Sequence, residues 1–263
     1  MIDYLFVVLI AFFASGIGAL LGIGGGIIMV PLFVILVKMP IQNAVAISLF
    51  TIVGTSTLVS SKFIKSKALN LELGLSLELA TTIGAIAGSL IALRLAHNTL
   101  SLMFGLFLLV VSLSMFKKPE EIYSKSGRYS YFDAKEKREI FYDVKNMPAA
   151  YLLSLVAGLT SGMFGIGGGV LKVPLLVKVC KIPIKVATAT SGFMVGITAS
   201  AAAYVYFSKG SLNPYFAFLG LVGSLLGSKV GVAVHSLIKA DLLRKIFAFS
   251  LIAIALFMIA RVL

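Results

Sequence analysis

The chain has 263 residues, 59% of them hydrophobic and 13% charged, with a formal net charge of +13 and a mean hydropathy of +1.06. Soluble domains run at roughly 45–50% apolar and about 25% charged, so this composition excludes a water-soluble domain, a disordered chain and a collagen-like fibre, and points to the membrane. The positive balance leaves three partners to decide between: an anionic lipid surface, nucleic acid, or an anionic solute in a basic site.

A helix spans the hydrocarbon with about 20 apolar residues. Met1 to Phe6 carries Asp3 and no Lys or Arg, so it lacks the basic start of a cleaved signal and the first segment is expected to stay. Residues 3–21 run into Gly22-Ile23-Gly24-Gly25-Gly26 and resume as Ile27 to Val37, a piece of about 11 residues, or roughly 16 Å of helix, too short to cross. Full-length apolar segments follow at 42–60, 72–93 and 98–116. The polar stretch 117–147, rich in mixed charges and tyrosines, is expected to be a solvated loop, since nearly balanced charge makes a poor phosphate track. Residues 149–164 then run into Gly165-Ile166-Gly167-Gly168-Gly169 and resume as Val170 to Cys180, before apolar segments at 186–207, 213–234 and 241–260.

The two glycine runs belong to an internal repeat. With Gly22 to Phe50 aligned on Gly165 to Phe193, 16 of 29 positions are identical, including GIGGG, Pro31/Pro174, Lys38/Lys181, Pro40/Pro183 and Ser48/Ser191. Helix packing supplies matched Leu and Val, but not a glycine run, two prolines and a lysine in register. Gly84 and Gly88 match Gly223 and Gly227 as small-xxx-small faces for close helix packing. The chain therefore divides into a first repeat (1–116), a polar loop (117–147) and a second repeat (148–263).

If each broken segment turns back as a re-entrant hairpin, each copy makes three crossings and the copies are inverted; if it crosses, there are four and the copies are parallel. With the 117–147 loop in the cytoplasm, the inverted arrangement puts 17 Lys and Arg inside and four outside, against 13 and eight for the parallel one. The positive-inside rule selects the inverted form, with both termini outside. The expected fold is an all-α polytopic membrane protein of two inverted repeats, each a glycine-broken hairpin plus three transmembrane helices.

Irregular backbone at membrane depth is tolerated where it is buried in protein or lines a cavity, and paired glycine-interrupted segments in the two halves of a transporter point to its substrate site. Each half-helix start presents free N–H groups and partial positive charge, which suit an anion. The candidate substrate-binding residues are Gly24, Gly25, Gly26, Gly167, Gly168 and Gly169, with Asn43, Ser48, Thr51, Thr188 and Ser191 on the helices that follow and Thr55 and Thr198 further along them. The bland reading of these hydroxyls is a bond to their own helix. Lys172, where the first copy has Met29, is a candidate anion contact, with snorkelling toward Lys178 and Lys181 as the alternative. Glu78 could carry a coupling proton, but a pairing with Lys67 or Lys62 is the leading expectation. Lys229, His97 and His235 read as structural. Cys180 is the single cysteine and there are two histidines, so neither a disulfide nor a metal cluster is expected, and the lack of a GxxxxGK[ST] run leaves no ATP-driven pump.

The paired runs GIGGGIIMVPLF and GIGGGVLKVPLL, each followed by a short loop and a Ser/Thr-bearing helix, resemble the TauE/SafE family of sulfite and organosulfonate exporters, over essentially the whole chain except 117–147. The resemblance implies a multi-pass inner-membrane permease for small sulfur-containing anions. The expectation is a secondary transporter, not an enzyme, without a cofactor, working with a small anion, membrane lipid, a coupling proton and a homodimer partner but no nucleic acid. An anion channel without alternating access and a membrane assembly factor with no solute stand as alternatives.

Overall fold

The computed structural model describes residues 2–21, 24–65, 68–114, 127–133, 138–234 and 240–262. In chain order the elements are α1 (Ile2–Leu21), α2 (Gly26–Leu36), α3 (Ile41–Lys65), α4 (Leu71–Arg94), α5 (His97–Ser114), β1 (Tyr129–Asp133), β2 (Arg138–Tyr142), α6 (Met147–Phe164), α7 (Gly169–Lys178), α8 (Ile184–Ser208), α9 (Pro214–Val234) and α10 (Ala240–Ala260). Among the described residues, five helices are long and apolar enough to cross a membrane, with their apolar spans at Ile41–Leu58, Leu71–Arg94, His97–Ser114, Met147–Phe164 and Ile184–Ser208. Side chains that a soluble protein would bury face outward on these helices: Leu79 on α4 is 74% exposed, as expected of a surface solvated by lipid.

Local sequence sets the ends. Asn70 caps α4 by accepting from the Leu73 amide, with Glu72 in the first turn and Arg94 in the last complementing the helix dipole. Both short helices carry an internal proline, Pro31 in α2 and Pro174 in α7. Each is followed by a lysine with a left-handed backbone, Lys38 (φ 54°) and Lys181 (φ 56°). The repeat seen in the sequence therefore extends to an uncommon backbone conformation at matched positions.

The repeats interlock. The first helix of each copy packs along the fourth of the other, α1 on α9 and α6 on α4, while α3 meets α8 and α5 meets α10. Glycine makes these crossings close: a Cβ on Gly84 would fall 2.1 Å from the Leu155 carbonyl oxygen of α6, and one on Gly227 would fall 1.9 Å from that of Phe12 in α1. Helix packing accounts for both glycine pairs.

The polar segment differs from the expected solvated loop. Its described part is an antiparallel hairpin pairing Tyr129 with Tyr142, Tyr131 with Ile140 and Asp133 with Arg138. The alternating face of Tyr131, Ile140 and Tyr142 is buried in one cluster with Leu175, Cys180, Ile182 and Val186. Polar contacts tie it to the helix ends: Asn70 Nδ2 donates to the Tyr142 hydroxyl at 3.1 Å, Tyr129 donates to Glu72 at 2.8 Å, and the Lys145 amide donates to the Cys180 carbonyl at 3.0 Å. Apolar alternation on one face turns a charged segment into a folded clamp.

Candidate functional site

The glycine breaks meet inside the bundle. In the first, Gly24 has φ +72° and Gly25 caps α2. In the second, Gly165, Gly167 and Gly168 have φ of +69°, +69° and +76°, the left-handed region open to glycine at little cost. A Cβ on Gly26 would lie 2.3 Å from the Gly165 carbonyl oxygen and 2.8 Å from Ile52 Cδ1; one on Gly167 would lie 3.0 Å from Ile52 Cγ2. Ile52 of α3 is thus wedged between the two breaks. Ser48 Oγ donates to the Gly165 carbonyl at 2.6 Å, so a helix of the first repeat holds the break of the second.

The candidate hydroxyls divide by what they bond. Ser48 is committed to Gly165, Thr51 donates to the Ser48 carbonyl at 2.7 Å, Thr55 to that of Ile52 at 3.1 Å, and Thr188 to that of Ile184 at 2.8 Å. Ser191, the repeat mate of Ser48, is buried and its Oγ has no partner among the described residues. Asn43 lies apart from this cluster, lining a cavity of about 260 Å³ with Lys38, Ile47, Asn213 and Phe216. The cavity reaches Ile47, the residue before Ser48.

Lys172 does not snorkel. It is 1% exposed, and its Nζ lies 3.3 Å from Glu78 Oε2 and donates to Thr198 Oγ1 at 2.6 Å. Thr198 donates in turn to Glu78 Oε1 at 2.5 Å, and Thr82 donates to the same oxygen at 3.3 Å. Three helices, α4, α7 and α8, so close a ring of hydrogen bonds around one buried ion pair. The expected pairing of Glu78 with Lys67 or Lys62 is overturned: Glu78 is 4% exposed and faces Lys172. Lys67 and the Lys62 side chain lie outside the described residues, as does His235. His97 accepts from the Ile41 amide at 3.2 Å, and Lys229 is exposed.

Sequence reading missed Ser161 and the role of Thr198 in the ring. A Cβ on Gly168, the cap of α7, would meet Ser161 Cβ and Lys172 Cε, each at 3.4 Å, and the buried Ser161 Oγ has no partner among the described residues. The signal was the small-residue run Ser154, Gly158, Ser161 and Gly162 on α6, which reads first as packing.

Apolar helices long enough to cross a membrane, two short glycine-started helices and a buried ion pair beside one of them define a multi-pass helical membrane protein. The sequence profile of the sulfite exporter TauE/SafE family matches residues 7–258, and the chain belongs to that family. It is 28% identical over 245 residues, 89% of each chain, to the probable membrane transporter protein YunE of Bacillus subtilis. It is 25% identical over 268 residues, 96% of this chain and 94% of the relative, to a probable membrane transporter protein of Methanocaldococcus jannaschii. A TauE/SafE family protein of Arabidopsis thaliana, family protein 5, shares 42% identity over 79 residues, 28% of this chain and 17% of its own. No solved structure matches the chain.

Proposed function

We propose that this protein is a secondary transporter of small sulfur-containing oxyanions, sulfite or an organosulfonate, held between the starts of α2 and α7 and exposed alternately to the two sides. The meeting of the glycine breaks carries the reading: Gly26 against the Gly165 carbonyl, with Ile52 between them, brings the opening turn of α2 against the glycine turn that leads into α7. First-turn amides lack intrahelical acceptors and favour an anion.

The breaks act as re-entrant hairpins in inverted repeats. Contacts at the two ends of the bundle support this. Residues 37–43 share a cavity with Asn213 and Phe216, Arg261 Nη1 donates to the Val34 carbonyl at 3.0 Å, and Lys145 bonds Cys180. The inverted arrangement puts the members of each set on one side of the membrane; the parallel arrangement would separate them.

Proteoliposomes preloaded with sulfite or methanesulfonate should show saturable counterflow. Steady single-channel current without counterflow would replace the carrier by a channel. Gly168 is the position to perturb, because a Cβ there has room at 3.4 Å while the φ of +76° strains it. The left-handed conformation costs an alanine about 1–2 kcal/mol, so Gly168→Ala should lower counterflow by about tenfold at unchanged expression. Gly25 is a poorer probe, since a Cβ there would lie 2.8 Å from the Ser15 backbone and disturb packing directly.

A further inference from the structure

The Lys172–Glu78 pair has no counterpart in the other half of the molecule. The repeat alignment puts Met29 opposite Lys172 and Thr55 opposite Thr198, and the offset that lays Gly84 on Gly223 puts Ala217 opposite Glu78. Met29 and Ala217 are buried. The same half-helix is thus packed once with neutral residues and once around an ion pair. Buried pairs are commonly no more stabilising than apolar residues of similar volume, so the pair is not required to build this fold. Among the described residues its surroundings also leave donors unused: Glu78 and Thr198 take two of the three Lys172 donors, and the Ser161 hydroxyl beside the cap of α7 has no partner.

We infer that Glu78 is the resident counter-ion of Lys172, and that a substrate anion displaces it only as Glu78 takes up a proton. The inference rests on the anion-transport reading above. Before binding, the buried site holds one ammonium and one carboxylate and is neutral. An arriving monoanion would leave it at net −1 in a poorly solvated interior, which is costly. Protonation of the Glu78 carboxylate restores neutrality: the proton comes from the open aqueous side, Lys172 pairs with the anion, and no other charge moves. Anion and proton then leave together when the site opens to the other side and Glu78 re-forms its pair. The transporter is a proton–anion symporter, electroneutral for a monoanion.

Among the described residues, Lys172 is the charged group in contact with Glu78. Of the elements packed on α4, α6 carries Tyr151, which is exposed, and α8 carries Lys185, Tyr204 and Tyr206; Tyr206 is occupied by a bond to the Gly162 carbonyl at 2.9 Å.

Methanesulfonate is the probe, because it stays a monoanion throughout the working pH range and every proton counted belongs to the protein. Its Kd for the full-length wild type should rise about tenfold per pH unit once Glu78 is ionised in the free protein, since binding takes up one proton. Influx into vesicles carrying an internal pH dye should acidify the lumen by one proton per anion. Glu78→Gln, a permanent mimic of the protonated acid, should remove the pH dependence of methanesulfonate binding and stop the acidification. The wild-type proton-to-anion ratio decides the matter even if the variant fails to fold. Anion flux without protons, or acidification that persists in a folded Glu78→Gln protein, overturns the inference while the transport reading stands. A wild type that moves neither methanesulfonate nor sulfite overturns both.

Discussion

Lys172 was legible as a candidate because a lysine one turn into an apolar half-helix is costly to bury alone. Its partner was not, since Glu78 lies far away in sequence on a helix whose first turns also look interfacial, and only the packing of α4 against α8 brings the carboxylate to it. The hydroxyls follow the same logic. The match of Ser48 with Ser191 could be read from the repeat, but not that one bonds Gly165 while the other has no partner. Removing one member of a buried pair strands the other charge, at a cost of about 3–5 kcal/mol. Lys172→Met and Glu78→Ala should each lower thermal stability in detergent on that scale. The double variant, which copies Met29 and Ala217 of the other half, should recover most of the loss. A double variant no more stable than the weaker single would show that the pair holds the fold together. Ser48→Ala leaves the buried Gly165 carbonyl without the hydroxyl and should cost about 1–3 kcal/mol in the same measurement.

Among the elements, the helices were legible and the strands were not. The apolar segments expected at 42–60, 72–93, 98–116, 186–207, 213–234 and 241–260 fall within or close to α3, α4, α5, α8, α9 and α10, because in lipid a long apolar run has few other ways to satisfy its backbone. The β1–β2 clamp was hidden by its composition: charged residues on one face mask three buried ones, and the hairpin is stable only against the helix ends beneath it. Its tyrosines make the attachment pH-sensitive. Burial raises the Tyr142 phenol above its ordinary 10.0, with the Asn70 bond opposing, and the hydrogen bond to Glu72, with burial adding to it, raises Tyr129. A group whose pKa is raised by folding contributes its stability below the ordinary value and loses it as the pH climbs through the folded value. The clamp should therefore hold at neutral pH and loosen only above about 10. Phenolate absorbance followed against pH should show a late-titrating phenol in the wild type that Tyr142→Phe removes. An unchanged curve would mean that Tyr142 titrates freely and does not anchor the clamp.

At the scale of the whole molecule, the repeat could be read from matched glycines, prolines and lysines, but the exchange of first helices between copies could not. Apolar helix faces in lipid carry little pairing information beyond small-residue contacts. The net charge of +13 also changes meaning with the topology. In the inverted arrangement most of it gathers on one side, where it orients the chain and meets anionic lipid, and a single lysine remains at the proposed anion site. Two labels test this directly. Ser130 on the exposed face of β1 and Lys209 after α8 are both exposed. Inverted repeats put them on opposite sides of the membrane, whereas parallel repeats put them on the same side. In a Cys180→Ser background, Ser130→Cys and Lys209→Cys should react with an impermeant thiol reagent from opposite sides, with Lys209→Cys labelled in intact cells and Ser130→Cys only after the membrane is opened. Labelling of both, or of neither, in intact cells would require the second glycine break to cross the bilayer and would end the description of α7 as an arm of a re-entrant hairpin.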